Sequence, residues 1–259
     1  MLLAIDVGNT EITLGLFLGE RLSGHWRVTT VTARTPDEWG ALLTSFLTHA
    51  GHSTHEVRAA VEASVAPAVT SVLAQGITKA MGVSPIHVGP ESPLPIVLEV
   101  DEPHSVGADR VVNTLAAAEL YRRDTIIVDF GTATTFDCIT KDGKFLGGVI
   151  APGIRTSAIS LSRLAAKLPD TELLAPSRVI GKRTEECMRA GVVFGTADAV
   201  DGIVRRIKRE WPGTMVPHVV ATGGLAATVA PHCTEIEAVE PNLTLVGLRI
   251  AARHLGLEW

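Results

Sequence analysis

Two short segments of the chain share a pattern of residues that could bind a phosphate group. Each begins with an apolar, β-prone run and continues with Asp, an apolar residue, Gly and a small polar residue: Asp6-Val7-Gly8-Asn9-Thr10 and Asp129-Phe130-Gly131-Thr132. Glycine lets a backbone turn approach a phosphate closely, and a carboxylate at a strand end suits a metal-bound nucleotide. Alone, each segment is more often a simple turn. Together they suggest two carboxylates that face each other across a cleft.

A third segment, Gly107-Ala108-Asp109-Arg110, opens a predicted helix. Asp109 falls in its first turn, where the helix dipole favours a carboxylate, so it could serve a ligand or only the helix start. A fourth segment, Thr222-Gly223-Gly224, follows a predicted buried strand. It could admit a flat ligand, or it could be a tight turn between a strand and a helix. The residues alone leave these alternatives open.

A fifth segment, Gly181-Lys182-Arg183-Thr184, has the composition of a phosphate-binding P-loop but not its spacing. A P-loop would need Gly at position 176 and Ser or Thr at position 183, where the chain has Pro176 and Arg183. The sequence therefore excludes a P-loop here. It predicts that Thr184 is the N-cap of the following helix.

The elements that must position these segments alternate between strands and helices. Each Asp-Gly segment continues into a predicted hairpin, and the second hairpin contains the turn signal Asp142-Gly143. One helix start carries a capping box, with Thr35 as N-cap, Pro36 first and Glu38 third. Further helices are predicted over residues 69–81, 108–122, 156–167 and 185–210 and after Pro241, and further strands over 26–29, 57–65, 85–88, 216–221 and 235–239. The alternation predicts an α/β fold with two similar halves.

The composition excludes several classes of function. The chain has 259 residues, a formal net charge of −5 and 4% aromatic residues. Because it offers neither a basic patch nor an aromatic platform, we expect no nucleic-acid partner. No apolar stretch reaches 18 residues and no signal peptide is evident, so we expect no membrane partner and a cytoplasmic location. Cys138, Cys187 and Cys233 lack the spacing of a zinc site or a disulfide framework.

In their order and spacing, the segments at residues 6–10, 107–110, 129–132, 148–153 and 181–184 resemble those of the type III pantothenate kinases, and the resemblance runs essentially end to end. It implies an α/β fold of two ribonuclease-H-like (actin-like ATPase) domains, with mixed sheets and a nucleotide cleft between the domains. The first domain would be residues 1–117 plus a C-terminal helix at about 243–257, and the second residues 118–242.

The resemblance also implies an activity and a set of site residues. Members of this family transfer the γ-phosphoryl group of ATP to pantothenate, the first step of coenzyme A biosynthesis, with a divalent cation such as Mg²⁺ and a monovalent cation, K⁺ or NH₄⁺. They are typically homodimers. Asp109 would be the catalytic base, Asp129 would bind the monovalent cation, and Asp6 would act indirectly on the divalent cation. The ATP-binding set would be Asp6, Val7, Gly8, Asn9, Thr10, Glu11, Ile12, Thr13 and Thr132. The pantothenate-binding set would be Gly107, Ala108, Asp109, Arg110 and Thr184.

The chain departs from the family pattern at a few positions. Glu11 stands where relatives often have Asn, Val100 where many have Tyr, and Asp101-Glu102-Pro103 where many have Asn-Pro. Strand alternation places Thr10 and Glu11 on opposite faces, so we expect the Glu11 carboxylate to point away from the phosphates. Two other functions stay open: a kinase for another small hydroxyl acceptor, and a regulatory or accessory protein built on the kinase fold.

Overall fold

The computed structural model describes all residues from Met1 to Trp259. The strands are β1 (Leu2–Val7), β2 (Glu11–Leu18), β3 (Arg21–Thr29), β4 (Ala59–Ser64), β5 (Ile86–Val88), β6 (Val97–Leu98), β7 (Thr125–Phe130), β8 (Ala133–Ile139), β9 (Lys144–Pro152), β10 (His218–Thr222) and β11 (Ala238–Val239). The helices are α1 (Pro36–His49), α2 (Pro67–Met81), α3 (Ala108–Tyr121), α4 (Ile154–Leu164), α5 (Thr184–Glu210), α6 (Ala226–Val229) and α7 (Leu243–His254).

The chain divides into two compact units. Unit 1 comprises Met1–Glu119 and Leu243–Trp259, and unit 2 comprises Leu120–Asn242. The first boundary therefore lies two residues beyond the predicted one. No helix of the chain combines the length and the apolar character needed to cross a membrane.

Unit 1 is built around a five-stranded sheet in the order β3-β2-β1-β4-β5. Strand β1 is antiparallel to β2 and parallel to β4. Because β1 is central, both of its faces are buried, and its apolar run needs no polar alternation. Leu3, Ile5 and Val7 face a core with side chains of α1 and α2, whereas Leu2 and Ala4 face a core with side chains of α3 and α7.

Unit 2 repeats this arrangement with the strand order β11-β10-β7-β8-β9. Strand β7 is antiparallel to β8 and parallel to β10, as β1 is to β2 and β4. Its main core joins Phe130 and Phe136 of the sheet to Val193, Val200 and Val204 of α5. The two sheets are therefore topological counterparts. Each repeated Asp-Gly segment begins in the last two residues of the corresponding strand, β1 or β7, and continues past its end.

Most predicted elements are present, but several of their ends differ from prediction. Strand β3 starts at Arg21 rather than near residue 26, and α4 spans Ile154–Leu164 rather than 156–167. The capping box of α1 is formed by Thr35 and Glu38 as predicted, and α1 ends before Gly51. Helix α5 begins with Thr184 itself, and its N-cap is Arg183, so the prediction of Thr184 as N-cap was wrong. Strand β10 starts only at His218 because Pro217 lacks the N–H group that a ladder requires. Strand β11 has two residues rather than five.

Candidate active site

The turn that follows β1, residues 8–11, is closed by its own backbone. We call it the N-terminal glycine loop. The Gly8 N–H donates to the Glu11 carbonyl at 3.0 Å. A Cβ atom at Gly8 would lie 2.8 Å from that carbonyl oxygen, so only glycine fits the turn. Asp6, the last acidic group before the loop, is half-buried and pairs across the hairpin with Thr13.

The side chains of this segment differ in what they can offer a ligand. Those of Val7 and Ile12 are fully buried in the core, so only their backbone groups could contact one. The Glu11 residue is exposed at the start of β2, next to the buried Ile12. Asn9 and Thr10 are exposed at the tip of the loop. Residues 8–10 therefore present backbone and small uncharged groups, as a phosphate-binding turn requires, whereas the exposed Glu11 adds one carboxylate at the end of the loop.

The corresponding turn after β7, residues 131–133, is one residue shorter. We call it the central glycine loop. Asp129 pairs with Thr135, six residues later, whereas Asp6 pairs with Thr13, seven residues later. The Gly131 N–H donates to the Ala133 carbonyl at 3.0 Å. A Cβ atom at Gly131 would come no closer than 3.5 Å to another residue, so the protein's own packing does not require this glycine.

Two further glycines pack closely in this region, Gly153 against the central glycine loop and Gly223 against the end of β7. A Cβ atom at Gly153 would lie 2.3 Å from the Thr132 carbonyl oxygen. Gly223 has a φ of +90°, and a Cβ atom there would lie 2.3 Å from an Asp129 carboxylate oxygen. The segment Thr222-Gly223-Gly224 is thus a close turn against Asp129, and it fixes the surroundings of that carboxylate.

Asp109 lies in the first turn of α3, as predicted, and is half-buried. One of its carboxylate oxygens accepts the Arg110 N–H at 2.9 Å. A Cβ atom at Gly107 would lie 2.5 Å from the same oxygen, so glycine makes room for this carboxylate. Burial raises the pKa of Asp109 and outweighs the opposing effect of the Arg110 hydrogen bond and charge. A carboxylate with a raised pKa is a better proton acceptor than an ordinary Asp.

The structure brings the Gly107–Asp109 segment to the same edge of the unit 1 sheet as the N-terminal glycine loop. The link is Val65, which follows β4. Its N–H donates to the Val7 carbonyl at 3.0 Å, and its side chain would lie 3.6 Å from a Cβ atom at Gly107. Because β1 and β4 are parallel, their carboxyl ends meet at this edge, where α/β proteins bind ligands.

Thr184 is an exposed residue of unit 2 and starts α5. The loop before it is ordered by Glu186, whose carboxylate accepts the Lys182 N–H at 2.8 Å. That hydrogen bond is the main cause of the lowered pKa of Glu186. Glu186, in the first turn of α5, therefore has a structural role in ordering the preceding loop. Its negative charge also suits the positive end of the helix dipole.

No group of three or more His, Cys, Asp or Glu side chains converges to hold a metal ion. Asp6 and Asp129 each contribute a single carboxylate at a strand end. Such donors suit Mg²⁺ that arrives with a nucleotide, because Mg²⁺ is commonly held by one or two carboxylates together with phosphate oxygens and water. A cage made only of protein ligands does not fit these residues.

Two residues that contact the glycine loops, and one buried acidic residue of β4, were not predicted from the sequence. The hydroxyl groups of Thr30 and Thr156 donate to carbonyls of the two glycine loops. Neither hydrogen bond could be predicted from neighbouring residues, because each partner carbonyl is distant in the sequence. Glu62 is buried in β4, next to Ile5 of β1. A signal for Glu62 was available, because an acidic residue interrupts the otherwise apolar strand Ala-Ala-Val-Glu-Ala-Ser.

Comparison with known proteins places these features in one family. The family model for type III pantothenate kinase matches residues 2–206. A type III pantothenate kinase from Moorella thermoacetica is 48% identical over 250 residues, covering 96% of this chain and 98% of the relative. The type III pantothenate kinase from Geobacter sulfurreducens is 47% identical, covering 96% and 97% of the two chains.

Solved structures confirm the fold. A Baf family transcriptional activator from Campylobacter jejuni superimposes with a TM-score of 0.60 at 16% identity, over 98% of both chains. ROK hexokinase from Thermus thermophilus gives a TM-score of 0.51 at 15% identity, also over 98% of both chains. At such identities the likeness shows the fold alone. The prediction of an α/β protein with two ribonuclease-H-like domains and mixed sheets is confirmed. Together with the sequence matches over nearly the full length, it establishes that this chain belongs to the type III pantothenate kinase family.

Proposed function

We propose that this chain is an ATP-dependent pantothenate kinase, which transfers the γ-phosphoryl group of ATP to the pantothenate hydroxyl and releases ADP and 4′-phosphopantothenate. The observation that carries the proposal is the half-buried Asp109 carboxylate. Its pKa is raised by burial, and it lies at the sheet edge that also bears the N-terminal glycine loop. Membership of the family supplies the substrate class.

In this mechanism Asp109 is the general base. The pantothenate hydroxyl oxygen forms a bond to the γ-phosphorus as the bond from that phosphorus to the β,γ-bridging oxygen breaks. The hydroxyl proton passes to the Asp109 carboxylate, and ADP leaves with the bridging oxygen. Phosphoryl transfer depends chiefly on positioning and on charge neutralisation. A positioned base adds about 10²–10⁴-fold to the rate.

The ATP-binding residues in this proposal are Asp6 through Thr13 and Thr132. Asp6 would orient the phosphates through Mg²⁺ and its water ligands. When bound, Mg²⁺ would neutralise phosphate charge, which a chain with a net charge of −5 cannot do by itself. We expect the Glu11 carboxylate to point away from the phosphates, because neighbouring residues of a strand face opposite sides. Val7 and Ile12 would act through their backbone groups because their side chains are in the core.

We assign the monovalent cation, K⁺ or NH₄⁺, to Asp129. The close packing of Gly223 against the Asp129 carboxylate supports this assignment, because the packing restricts the space around that carboxylate. A single carboxylate with neighbouring carbonyl oxygens is a suitable environment for a weakly bound monovalent ion. Removal of the Asp129 carboxylate should therefore change the dependence of turnover on the cation and leave the fold largely intact.

The pantothenate-binding residues in this proposal are Gly107, Ala108, Asp109, Arg110 and Thr184.

We also propose that the enzyme is a homodimer. Support for a dimer comes from apolar side chains of unit 2 that face solvent: Leu164 is 88% exposed, Ile180 78% and Val179 69%. Large apolar side chains that face solvent are found at contacts between protein chains, and Val179 and Ile180 are consecutive in the sequence. A sedimentation mass that corresponds to one 27.4 kDa chain would contradict the dimer.

We also propose a cytoplasmic location. None of the three cysteines forms a disulfide, which suits a reducing compartment. Localisation of a tagged chain by cell fractionation would test this proposal. Recovery of the chain outside the cytoplasmic fraction would refute it.

The activity is tested by ADP release in a coupled assay with ATP, pantothenate, Mg²⁺ and K⁺. We expect turnover that requires pantothenate. Turnover with another hydroxyl compound but not with pantothenate would indicate a kinase of different specificity. Absence of turnover with every acceptor, together with intact ATP binding, would instead favour an accessory protein on the same fold.

A further inference from the structure

In each of the two glycine loops, a backbone carbonyl accepts a hydrogen bond from a threonine hydroxyl that is distant in the sequence. The Thr30 hydroxyl donates to the Gly8 carbonyl at 2.7 Å, and the Thr156 hydroxyl donates to the Thr132 carbonyl at 2.7 Å. Thr30 comes just after β3, and Thr156 comes four residues after β9. Strands β3 and β9 are the third strands of the two counterpart sheets. In each unit, a threonine hydroxyl from the segment after the third strand therefore binds a loop carbonyl, that of the first loop residue in unit 1 and that of the second in unit 2.

In unit 1 the contact has a second component. The Thr30 backbone N–H donates to the Thr10 carbonyl at 2.9 Å. Thr30 therefore binds two carbonyls of one loop, with its side chain on Gly8 and its backbone on Thr10. The Gly8 N–H is meanwhile engaged by the Glu11 carbonyl. Few rotations remain open to the Gly8–Asn9 peptide unit.

In unit 2 close packing replaces the second hydrogen bond. Gly153, three residues before Thr156, lies so near the loop that a Cβ atom would be 2.6 Å from the Gly131 carbonyl oxygen. The Thr132 carbonyl thus receives the Thr156 hydroxyl while Gly153 closes one side of the loop.

Fixing these carbonyls also fixes the direction of the neighbouring backbone donors. A trans peptide unit is planar, so its N–H points opposite to its C=O. When the Gly8 carbonyl is held on Thr30, the Asn9 N–H is directed away from Thr30. When the Thr132 carbonyl is held on Thr156, the Ala133 N–H is likewise directed away from Thr156. Backbone N–H groups in glycine-rich turns are the usual donors to phosphate oxygens.

We propose that Thr30 and Thr156 are positioning residues for ATP, which hold the glycine loops in their phosphate-binding conformation before the nucleotide arrives. This inference rests on the proposed function and extends it to two residues outside the predicted ATP-binding set. Neither side chain needs to contact ATP. Preorganisation of this kind lowers the entropy cost of binding, so loss of either hydroxyl should weaken ATP binding more than it changes the bond-forming step.

The test replaces each threonine with valine, which keeps the shape and removes the hydroxyl, and with serine, which restores it. Thr48→Val is the matched control, because the Thr48 hydroxyl donates to the Thr44 carbonyl at 2.8 Å within α1, away from both loops. The measured quantities are the Kd for a fluorescent mant-ATP probe, the KM values for ATP and pantothenate, kcat and the melting temperature.

We expect Thr30→Val and Thr156→Val to raise the Kd for mant-ATP and the KM for ATP by roughly 3–10-fold, the effect of losing one hydrogen bond. The KM for pantothenate should stay within about twofold of the wild-type value. The serine variants should recover most of the affinity for mant-ATP. The control Thr48→Val should match wild type in the Kd for mant-ATP and in the KM for ATP. A valine variant that binds mant-ATP as wild type does would overturn the proposal for that residue. So would a valine variant that loses affinity only in proportion to a lowered melting temperature.

The mant-ATP measurement separates this inference from the proposed function. If wild type binds mant-ATP but does not phosphorylate pantothenate, the proposed function fails. The role of Thr30 and Thr156 is then still decided by the Kd values of their variants.

Discussion

At the scale of single residues, the least expected group is the buried Glu62. It lies within β4, with one carboxylate oxygen that has no hydrogen-bond partner and with His87 Nδ1 3.9 Å from the other. Burial raises its pKa from 4.5 to about 7. Below pH 4.5 the carboxyl group is protonated in both the folded and the unfolded chain. Between pH 4.5 and 7 the unfolded chain loses this proton while the folded chain retains it, so stability falls as pH rises through this window.

We predict that Glu62→Gln stabilises the protein more at pH 8 than at pH 5. The gain in the free energy of unfolding at pH 8 should be at most about 3 kcal/mol, the free-energy equivalent of the pKa shift. Urea unfolding at the two pH values measures it. Glu91→Gln is the matched control, since Glu91 also pairs with a histidine, His104, but both side chains are exposed. An equal gain for Glu62→Gln at both pH values would contradict the prediction.

A second prediction at this scale concerns Asp129. If its carboxylate holds the monovalent cation, Asp129→Ala should weaken the dependence of turnover on K⁺, because the main anionic ligand is gone. Titration of activity with K⁺ at saturating ATP and pantothenate measures this effect. Asp142→Ala, in the exposed turn between β8 and β9, is the control for general loss of negative charge. Identical K⁺ titrations for Asp129→Ala and wild type would place the cation elsewhere.

At the scale of elements, the central glycine loop depends on its packing against the start of α4. In Gly153→Ala the new methyl group would lie 2.3 Å from the Thr132 carbonyl oxygen, which belongs to the backbone and cannot move aside cheaply. We predict that this variant loses about 1–3 kcal/mol of stability and raises the KM for ATP. Urea unfolding and steady-state kinetics measure the two effects.

The matched control is Gly202→Ala in the middle of α5, where a Cβ atom would meet nothing within 4 Å. Because alanine has the higher helix propensity, this variant should gain about 0.5–1 kcal/mol with unchanged kinetics. Equal stability of the two variants would show that the close approach at Gly153 does not constrain the loop.

How well an element could be predicted depended on how local its determinants are. The start of α1 was predictable because its capping box involves residues three positions apart. The hydrogen bonds of Thr30 and Thr156 were not, because their partners lie 22 and 24 residues away. The error at Thr184 has a similar cause: the extended backbone of Arg183, not the residue type, sets the N-cap of α5.

At the scale of the whole molecule, the repeated Asp-Gly segments predicted two similar halves, and the sheets of units 1 and 2 have counterpart topologies. The repeat is not exact, because the central glycine loop is one residue shorter than its N-terminal counterpart. Loop length was not predictable, since it is set by the pairing register of the strands rather than by the motif. The net charge of −5 agrees with phosphate binding through backbone donors and cations rather than through a basic surface.

The most direct test of the central claim compares wild type with Asp109→Asn in an assay that detects 4′-phosphopantothenate by mass. The substitution keeps the size of the side chain and removes its ability to accept the hydroxyl proton. We predict that wild type forms this product from ATP and pantothenate with Mg²⁺ and K⁺. Turnover by Asp109→Asn should be about 10²–10⁴-fold lower, with an unchanged melting temperature. Near-normal turnover by the variant, or no phosphopantothenate from wild type, would contradict the account.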